Sequence, residues 1–325
     1  MIVRAGVDLG GTKIQAVIVG PDHAVLGQTR RPTPADGGPQ AVADEIVAAV
    51  REASEAAGFE PDSLSAIGVG SPGAVDGRAG TVAHARNLSG WEDVFPLGPT
   101  LAKALGPPVF LGNDVDVAVE AELRLGAAQP YSSIIAVWWG TGVGGAVILD
   151  GEPWRGRGAA GEIGHTVVKL NGARCPCGRR GCLEAYAGRA AMEAHARRLV
   201  ARGQKTDLFE IMKKEGRTRL SSGVWERALD KHDKLAVTLI RRAIAALGAG
   251  IASAINLLDV EAVVIGGGLG TRLGQRYAGR IAEAMSPHLF VPERAPSVHV
   301  AALGDLGGAV GAALITETAV GRAAG

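Results

Sequence analysis

Residues 5–19 read AGVDLGGTKIQAVIV, and this stretch decides how the first half of the chain folds. Two runs rich in apolar and β-branched residues, 5–9 and 14–19, predict two strands. Between them lies Gly10-Gly11-Thr12-Lys13, a turn short enough to join antiparallel neighbours. The stretch therefore predicts a β-hairpin closed by glycines.

A second hairpin of the same kind follows in the middle of the chain. Residues 133–139 and 146–149 predict strands, and GTGVGG at 140–145 lies between them. Helical periodicity covers 115–125 and most of 187–258, so the pattern is mixed α/β with hairpins. Because 325 residues are many for one core, and both halves open with a strand, a glycine turn and a strand, we predict two related domains.

Charge, apolar runs and cysteine count argue against several classes of protein. A formal net charge of +1 without a basic stripe predicts no nucleic-acid partner. The longest apolar run, 243–258, is shorter than a membrane span needs, so we predict a buried helix and no membrane partner. We expect no signal peptide, because a strand follows the first residues directly. Three cysteines do not suit a secreted disulfide framework. We therefore expect a cytoplasmic protein.

The first glycine turn suits phosphate binding. Backbone N–H groups of Gly10 and Gly11 can point at an anion. Thr12 adds a hydroxyl donor and Lys13 a positive charge, while Asp8 at the strand end can hold hydrated Mg²⁺. An ordinary hairpin turn explains the same glycines. The motif is not a P-loop, which needs Gly-Lys-Ser/Thr at the start of a helix.

Two further glycine clusters fit a nucleotide. The turn with Thr141, Gly142 and Gly144 matches G-x-G-x-x-G, but a strand follows it. A dinucleotide-binding fold needs a helix there, so we predict a second phosphate loop instead. Gly267 and Gly268 lie between a predicted strand and a predicted helix, where adenine or ribose can approach the backbone closely. A tight strand-to-helix turn is the plainer explanation.

Asn113 and Asp114 follow a short apolar strand, 109–112, and precede a helix. Both residue types favour helix N-caps, which alone explains one of them. In phosphoryl transfer a carboxylate beside the acceptor hydroxyl receives its proton. We therefore predict Asp114 as the catalytic base and Asn113 as a ligand of a neighbouring hydroxyl, both facing a cleft.

All three cysteines, Cys175, Cys177 and Cys182, lie in the segment CPCGRRGC, and His165 lies ten residues upstream. Three thiolates and one imidazole form a closed, structural type of Zn²⁺ site. Reduced buried cysteines are the alternative, but their clustering in a glycine-rich loop favours zinc. We expect zinc to fold the loop, and the second ring nitrogen of His165 to face the substrate.

These motifs together resemble the ROK family of repressors, open reading frames and kinases, and within it the bacterial glucokinases, over essentially the whole chain. The resemblance covers both phosphate loops, the adenosine motif, the Asn-Asp pair and the zinc signature. It implies that Glu162, His165 and Glu184 bind sugar hydroxyls, with Asn87 and Gly73 as further contacts.

The resemblance also implies an α/β, actin-like (hexokinase/ribonuclease H-like) two-domain fold with ATP and sugar in an interdomain cleft. It implies ATP, Mg²⁺ and structural Zn²⁺, and a homodimer or homotetramer. We expect a small α/β domain at 1–120, completed by a C-terminal helix at about 305–325, and a large α/β domain with the zinc loop at 121–304.

The predicted activity is ATP-dependent phosphorylation of a hexose hydroxyl, with glucose as first choice. A kinase for N-acetylmannosamine, fructose or an amino sugar is the alternative, because the same motifs bind hydroxyls that these hexoses share. The glycine cluster that begins at Gly266 favours a nucleotide over polyphosphate. A sugar-sensing regulator is the remaining class, which we disfavour because the first strand begins within ten residues. Trp138-Trp139, and His84-Ala85-Arg86 before Asn87, depart from the glucokinase pattern.

Overall fold

The structure, a computed structural model, describes residues 2–85 and 88–323, with side chains as far as residue 317. Its described strands are β1 (Arg4–Leu9), β2 (Lys13–Val19), β3 (Val25–Pro32), β4 (Ala66–Ser71), β5 (Ala74–Asp76), β6 (Thr81–Ala83), β7 (Val109–Asn113), β8 (Ile134–Trp139), β9 (Val143–Leu149), β10 (Glu152–Pro153), β11 (Ala262–Gly266) and β12 (Ser297–Val300). Its described α-helices are α1 (Gly38–Ala57), α2 (Leu97–Leu105), α3 (Asp114–Leu125), α4 (Glu184–Ala187), α5 (Arg189–Val200), α6 (Leu208–Lys214), α7 (Ser222–Asp230), α8 (Lys234–Leu258), α9 (Gly267–Met285) and α10 (Gly307–Ala323).

The first sheet is built around the predicted hairpin. Its strand order is β3-β2-β1-β4-β7. The first three strands are antiparallel, and β1, β4 and β7 are parallel. Apolar side chains of β1 and β2 pack with α1 and α2 on one face, while α3 and α10 cover the other. A Cβ on Gly6 would lie 1.9 Å from the Ala309 carbonyl oxygen, so glycine lets the α10 backbone lie directly on β1.

The second sheet repeats this arrangement. Its order is β10-β9-β8-β11-β12, with β8, β9 and β10 antiparallel and β8, β11 and β12 parallel. Alternate residues of β8 and β11 form a core with α7, α8 and α9. Among the described residues, α8 alone is long and apolar enough to cross a membrane, and most of its apolar stretch is buried in this core. The prediction of a buried helix at 243–258 is confirmed.

The chain divides into two compact units. Residues 1–126 with 303–325 form the first unit, and residues 127–302 form the second. The sequence-based division placed the first boundary at residue 120. Helix α3 extends to Leu125, so the division follows the end of that helix.

Several elements differ from the sequence prediction. Strand β9 begins at Val143 rather than at 146, and α9 begins at Gly267, so the third glycine cluster forms its first turn. The prediction missed β3, α2 and the β5-β6 hairpin. Strand β3 reads VLGQTRRP and is half exposed at the sheet edge, so it lacks a continuous apolar pattern.

Candidate active site and metal cluster

Asn113 ends β7 and caps α3. Its side-chain oxygen Oδ1 accepts the N–H of Val115 at 2.9 Å and that of Asp116 at 3.4 Å. The N-cap explanation is therefore right for Asn113. Because Oδ1 is committed to the helix, Asn113 would meet a ligand through the donor Nδ2.

Asp114 is the first residue of α3 and is half-buried. Parallel pairing aligns Asp8 with Gly70 and Gly70 with Gly112, which brings the Asp8 and Asp114 carboxylates to the same sheet edge. Burial, followed by the negative charge of Asp8, raises the pKa of Asp114 to about 6. The carboxylate is thus ionised at neutral pH and is a stronger base than an ordinary aspartate.

Asp8 lies close to the first turn of α10. Burial raises the pKa of Asp8, the charge of Lys13 opposes this, and Asp305 reinforces it. A Cβ on Gly308 would lie 2.9 Å from the Asp8 carboxyl carbon. Glycine at 308 therefore makes room for the carboxylate. Sequence reasoning missed Gly308; a Gly-Gly pair at the start of the last predicted helix was the available signal.

The first glycine turn has the predicted hairpin form. The Gly10 N–H donates to the Lys13 carbonyl oxygen at 2.9 Å, and the Thr33 hydroxyl donates to the Gly10 carbonyl oxygen at 2.6 Å. Gly11 and Thr12 are exposed at its tip. The Lys13 ammonium lies 3.8 Å from an Asp305 carboxylate oxygen. The Lys13 ammonium and the exposed Thr12 hydroxyl thus lie at one turn, an arrangement that is compatible with phosphate binding.

The second glycine turn is shorter than predicted. The Gly140 N–H donates to the Gly142 carbonyl oxygen at 3.0 Å, and Gly144 lies inside β9 opposite Trp138. Of the three predicted contacts, Thr141 and Gly142 lie in the turn and Gly144 does not. Sequence reasoning also missed Arg189, whose guanidinium donates to the Thr141 hydroxyl oxygen at 2.6 Å. Arg189 and Thr141 are 48 residues apart in sequence, so no local sequence pattern could have predicted their contact.

Gly267 and Gly268 begin α9, whose N-cap position, Gly266, has no side-chain cap. Gly267 has a positive φ of 79°, and a Cβ there would lie within 3.0 Å of the Trp139 backbone. The tight-turn explanation therefore accounts for Gly267. Gly268 has an ordinary φ, and a Cβ there would lie 3.2 Å from the Ser222 hydroxyl oxygen. Gly268 is exposed, so its backbone is accessible to a ligand.

The predicted zinc ligands lie together. Donor atoms of His165, Cys175, Cys177 and Cys182 all lie within 4.8 Å of one another, and this is the donor cluster found in the described part of the chain. The sulphurs of Cys177 and Cys182 are 3.7 Å apart. Tetrahedral Zn–S bonds place two sulphurs about 3.8 Å apart. The donor set and its spacing fit a structural zinc ion.

Arg179 favours the thiolate form of one cysteine. Its side-chain hydrogen bond, aided by its backbone N–H, lowers the pKa of Cys177 to about 6. Burial instead raises the pKa of Cys175 to about 12. The Cys175 N–H donates to the Arg179 carbonyl oxygen at 2.9 Å, closing a small loop around the donors.

Of the three predicted sugar contacts, His165 belongs to this cluster, and Glu162 and Glu184 lie beside it. Nδ1 of His165 lies 3.8 Å from the Cys175 sulphur, while its Nε2 lies 3.9 Å from Glu162 Oε2. Glu184 Oε2 accepts the Val143 N–H at 2.9 Å, and its Oε1 lies 3.8 Å from the Cys175 sulphur. Glu184 therefore ties the second glycine turn to the cysteine cluster.

The structure describes one of the two remaining predicted sugar contacts, Gly73, but not the other, Asn87. Gly73 has a φ of 94°, and a Cβ there would lie 2.6 Å from the Ala83 carbonyl oxygen, so packing alone requires glycine. Asn87 lies outside the described residues.

Comparison with known proteins agrees with these motifs. The profile of the ROK family matches residues 4–319. The chain belongs to the ROK family. The glucokinase of Thermotoga maritima is 34% identical, over 97% of this chain and 98% of that protein. The N-acetylmannosamine kinase of Haemophilus influenzae is 30% identical, over 94% of this chain and 92% of that protein.

A solved ROK structure has the same fold. The ROK family glucokinase from Streptomyces griseus, in complex with glucose and AMPPNP, is 32% identical and covers 96% of this chain and 98% of its own, with a TM-score of 0.82. The predicted ROK membership and the predicted actin-like α/β fold class are confirmed.

Proposed function

We propose that this ROK protein is a kinase that transfers the γ-phosphoryl group of ATP to a hydroxyl of a hexose, with glucose as the preferred sugar. The observation that carries the proposal is Asp114, a half-buried carboxylate directly after a parallel strand, at the first position of α3, with its pKa raised to about 6. The glucokinase relatives, and the glucose and AMPPNP bound by one of them, support the sugar and the donor.

The proposed reaction needs one proton acceptor. The sugar hydroxyl oxygen attacks the γ-phosphorus, its proton passes to Asp114, and the bond to the β–γ bridging oxygen breaks to release ADP. The Nδ2 group of Asn113 holds a neighbouring hydroxyl. Glu162, His165 and Glu184 are proposed to hold further sugar hydroxyls, with Gly73 and Asn87 as additional contacts.

The glycine clusters are proposed to hold the nucleotide. Gly10, Gly11, Thr12 and Lys13 in the first turn, and Thr141 and Gly142 in the second, present N–H groups, hydroxyls and charge to phosphates. Gly268, with its neighbour Gly267, would leave space for adenosine. Asp8 would hold Mg²⁺, which neutralises phosphate charge when bound.

Zinc is proposed to be structural. His165 and the three cysteines complete a four-ligand set, so zinc would supply folding free energy to a loop with few apolar residues. Reduced thiolates persist in the cytoplasm, which is the proposed compartment. A homodimer or homotetramer is proposed from the resemblance to the family.

The test is Asp114→Asn with ATP and glucose. We expect kcat to fall by roughly 10²- to 10⁴-fold. At neutral pH the variant should melt above the wild type, because a buried charge is removed while the backbone contacts of residue 114 are kept. Asp116→Asn, two positions along α3, is the matched control and should keep wild-type turnover within about threefold. Wild-type turnover in Asp114→Asn would contradict the assignment.

N-acetylmannosamine is the second candidate substrate, favoured by the relative that is 30% identical. A panel of glucose, N-acetylmannosamine, fructose and glucosamine, followed by ADP release, ranks kcat/KM for each sugar. A higher kcat/KM for N-acetylmannosamine than for glucose would replace glucose in the proposal.

A further inference from the structure

Arg189 lies beside the second glycine turn and has no role in the proposed reaction so far. It is the half-buried first residue of α5, and its Nη2 donates to the Thr141 hydroxyl oxygen at 2.6 Å. Its Nη1 donates to the Leu220 carbonyl oxygen at 3.3 Å, and its backbone N–H donates to the Gly140 carbonyl oxygen at 3.1 Å. The guanidinium is thus anchored on the second glycine turn.

The other anchor, Leu220, leads into α7. Ser222 begins that helix, and its hydroxyl oxygen would lie 3.2 Å from a Cβ on Gly268. Arg189 therefore joins the turn at 140–142 to the segment that leads into α7, whose Ser222 lies beside the start of α9.

Charges of both signs act on this guanidinium, and the attraction of Glu193 is larger than the repulsion of either neighbouring arginine. Glu193 is the carboxylate whose charge acts on Arg189, but its Oε1 accepts from Arg197 at 2.6 Å and its Oε2 accepts a backbone N–H. Burial lowers the pKa of Arg189, and the like charges of Arg219 and Arg217 lower it further. An anion at this position would relieve that repulsion.

The hydrogen-bonding groups match a phosphate. Because Thr141 accepts a bond from Arg189, its own O–H is free to turn toward an acceptor. A guanidinium carries five N–H donors, so donors remain beside the two described bonds. Phosphate oxygens accept such charge-assisted bonds strongly.

We propose that Arg189, together with the Thr141 hydroxyl, binds a phosphate group of the nucleotide. This inference rests on the proposed function, because it assumes that the glycine turns hold a nucleotide. It assigns a phosphate ligand that lies outside the glycine motifs.

The test is calorimetric titration of ADP and of adenosine, without sugar, into the wild type and Arg189→Met. Loss of a charged ligand should weaken ADP binding by about tenfold or more and leave adenosine binding within about twofold. Arg189→Lys keeps the charge and should recover part of the ADP affinity. If Arg189→Met unfolds, Arg189→Gln, which keeps a donor near Thr141 without charge, carries the same expectation.

Two controls separate phosphate binding from a structural role. Arg198→Met removes an exposed positive charge from the same helix and keeps Arg189, and it should bind ADP within about threefold of wild type. The adenosine titration is the second control, because a structural defect at residue 189 would weaken adenosine binding as well. Equal losses for ADP and adenosine in Arg189→Met, or an unchanged ADP affinity, would overturn the inference. A wild type that binds ADP but phosphorylates no hexose would overturn the proposed function alone.

Discussion

The two sheets share one strand order, but their glycine turns carry their charged groups in different ways. In the first unit, the turn between β1 and β2 is flanked by its own Asp8 and Lys13. In the second unit, the turn between β8 and β9 has no charged residue beside it. Its charged partners, Glu184 and Arg189, come from positions 41 and 48 residues away. The charged groups of the first turn are therefore its neighbours in sequence, whereas those of the second turn are brought to it by the fold.

The cysteine cluster is the largest contrast between the units. Glu184 contacts both the second turn and Cys175, so the cluster supports this turn and has no described counterpart in the first unit. Cys182→Ser should abolish zinc binding and destabilise the protein by about 4 kcal/mol or more, because metal loss is among the largest single effects. Elemental analysis and thermal melting measure both. One zinc per chain in the variant, with unchanged melting, would contradict this expectation.

Asp8 tests the first turn. Asp8→Asn removes the proposed Mg²⁺ ligand, so kcat should fall by about 10²-fold or more at saturating Mg²⁺-ATP.

The pH dependence of the reaction is a separate prediction. Asp114 must be ionised to act as a base, so wild-type kcat/KM should fall as pH drops below about 6.

The Asp8 charge contributes to the raised pKa of Asp114 after burial, so removing it should move the acid limb of the Asp8→Asn profile to lower pH. Measuring kcat/KM against pH for the wild type and for Asp8→Asn locates the acid limb of each profile. An acid limb at the wild-type position would mean that the Asp8 charge does not contribute to the pKa of Asp114.

The same contrast explains what the sequence could predict. The first hairpin, the Asn113-Asp114 step and the cysteine cluster each lie within a few residues, so spacing alone identified them. The bond from Arg189 to Thr141 and the bond from Val143 to Glu184 join separate segments, and no periodicity encodes such pairs. Gly144 was misplaced because glycines in a strand and in a turn look alike in sequence.

Substitution of Gly142 tests whether the Glu184 carboxylate contributes to ATP binding at the second turn. A Cβ at this position would lie 2.3 Å from Glu184 Oε2, the oxygen that accepts the Val143 N–H. Gly142→Ala should displace that carboxylate and raise the KM for ATP by about tenfold, as expected for one lost bond to a charged group. Gly279→Ala is the control, since this exposed glycine of α9 has an ordinary φ and its Cβ would have no atom within 4 Å. Initial rates against ATP concentration should separate the two variants, and equal KM values would remove Glu184 from the account of this turn.

Asn113 should give the smallest effect, and it separates two roles of one side chain. Its Oδ1 caps α3, the helix that presents Asp114, while its Nδ2 is proposed to hold a sugar hydroxyl. Asn113→Ser keeps a capping oxygen, so its melting temperature should stay near wild type while the KM for glucose rises. Asn113→Ala loses the cap as well and should cost about 1 kcal/mol of stability. If the serine variant also keeps the wild-type KM for glucose, Asn113 acts on the first unit only through its helix, and sugar selection must come from other side chains.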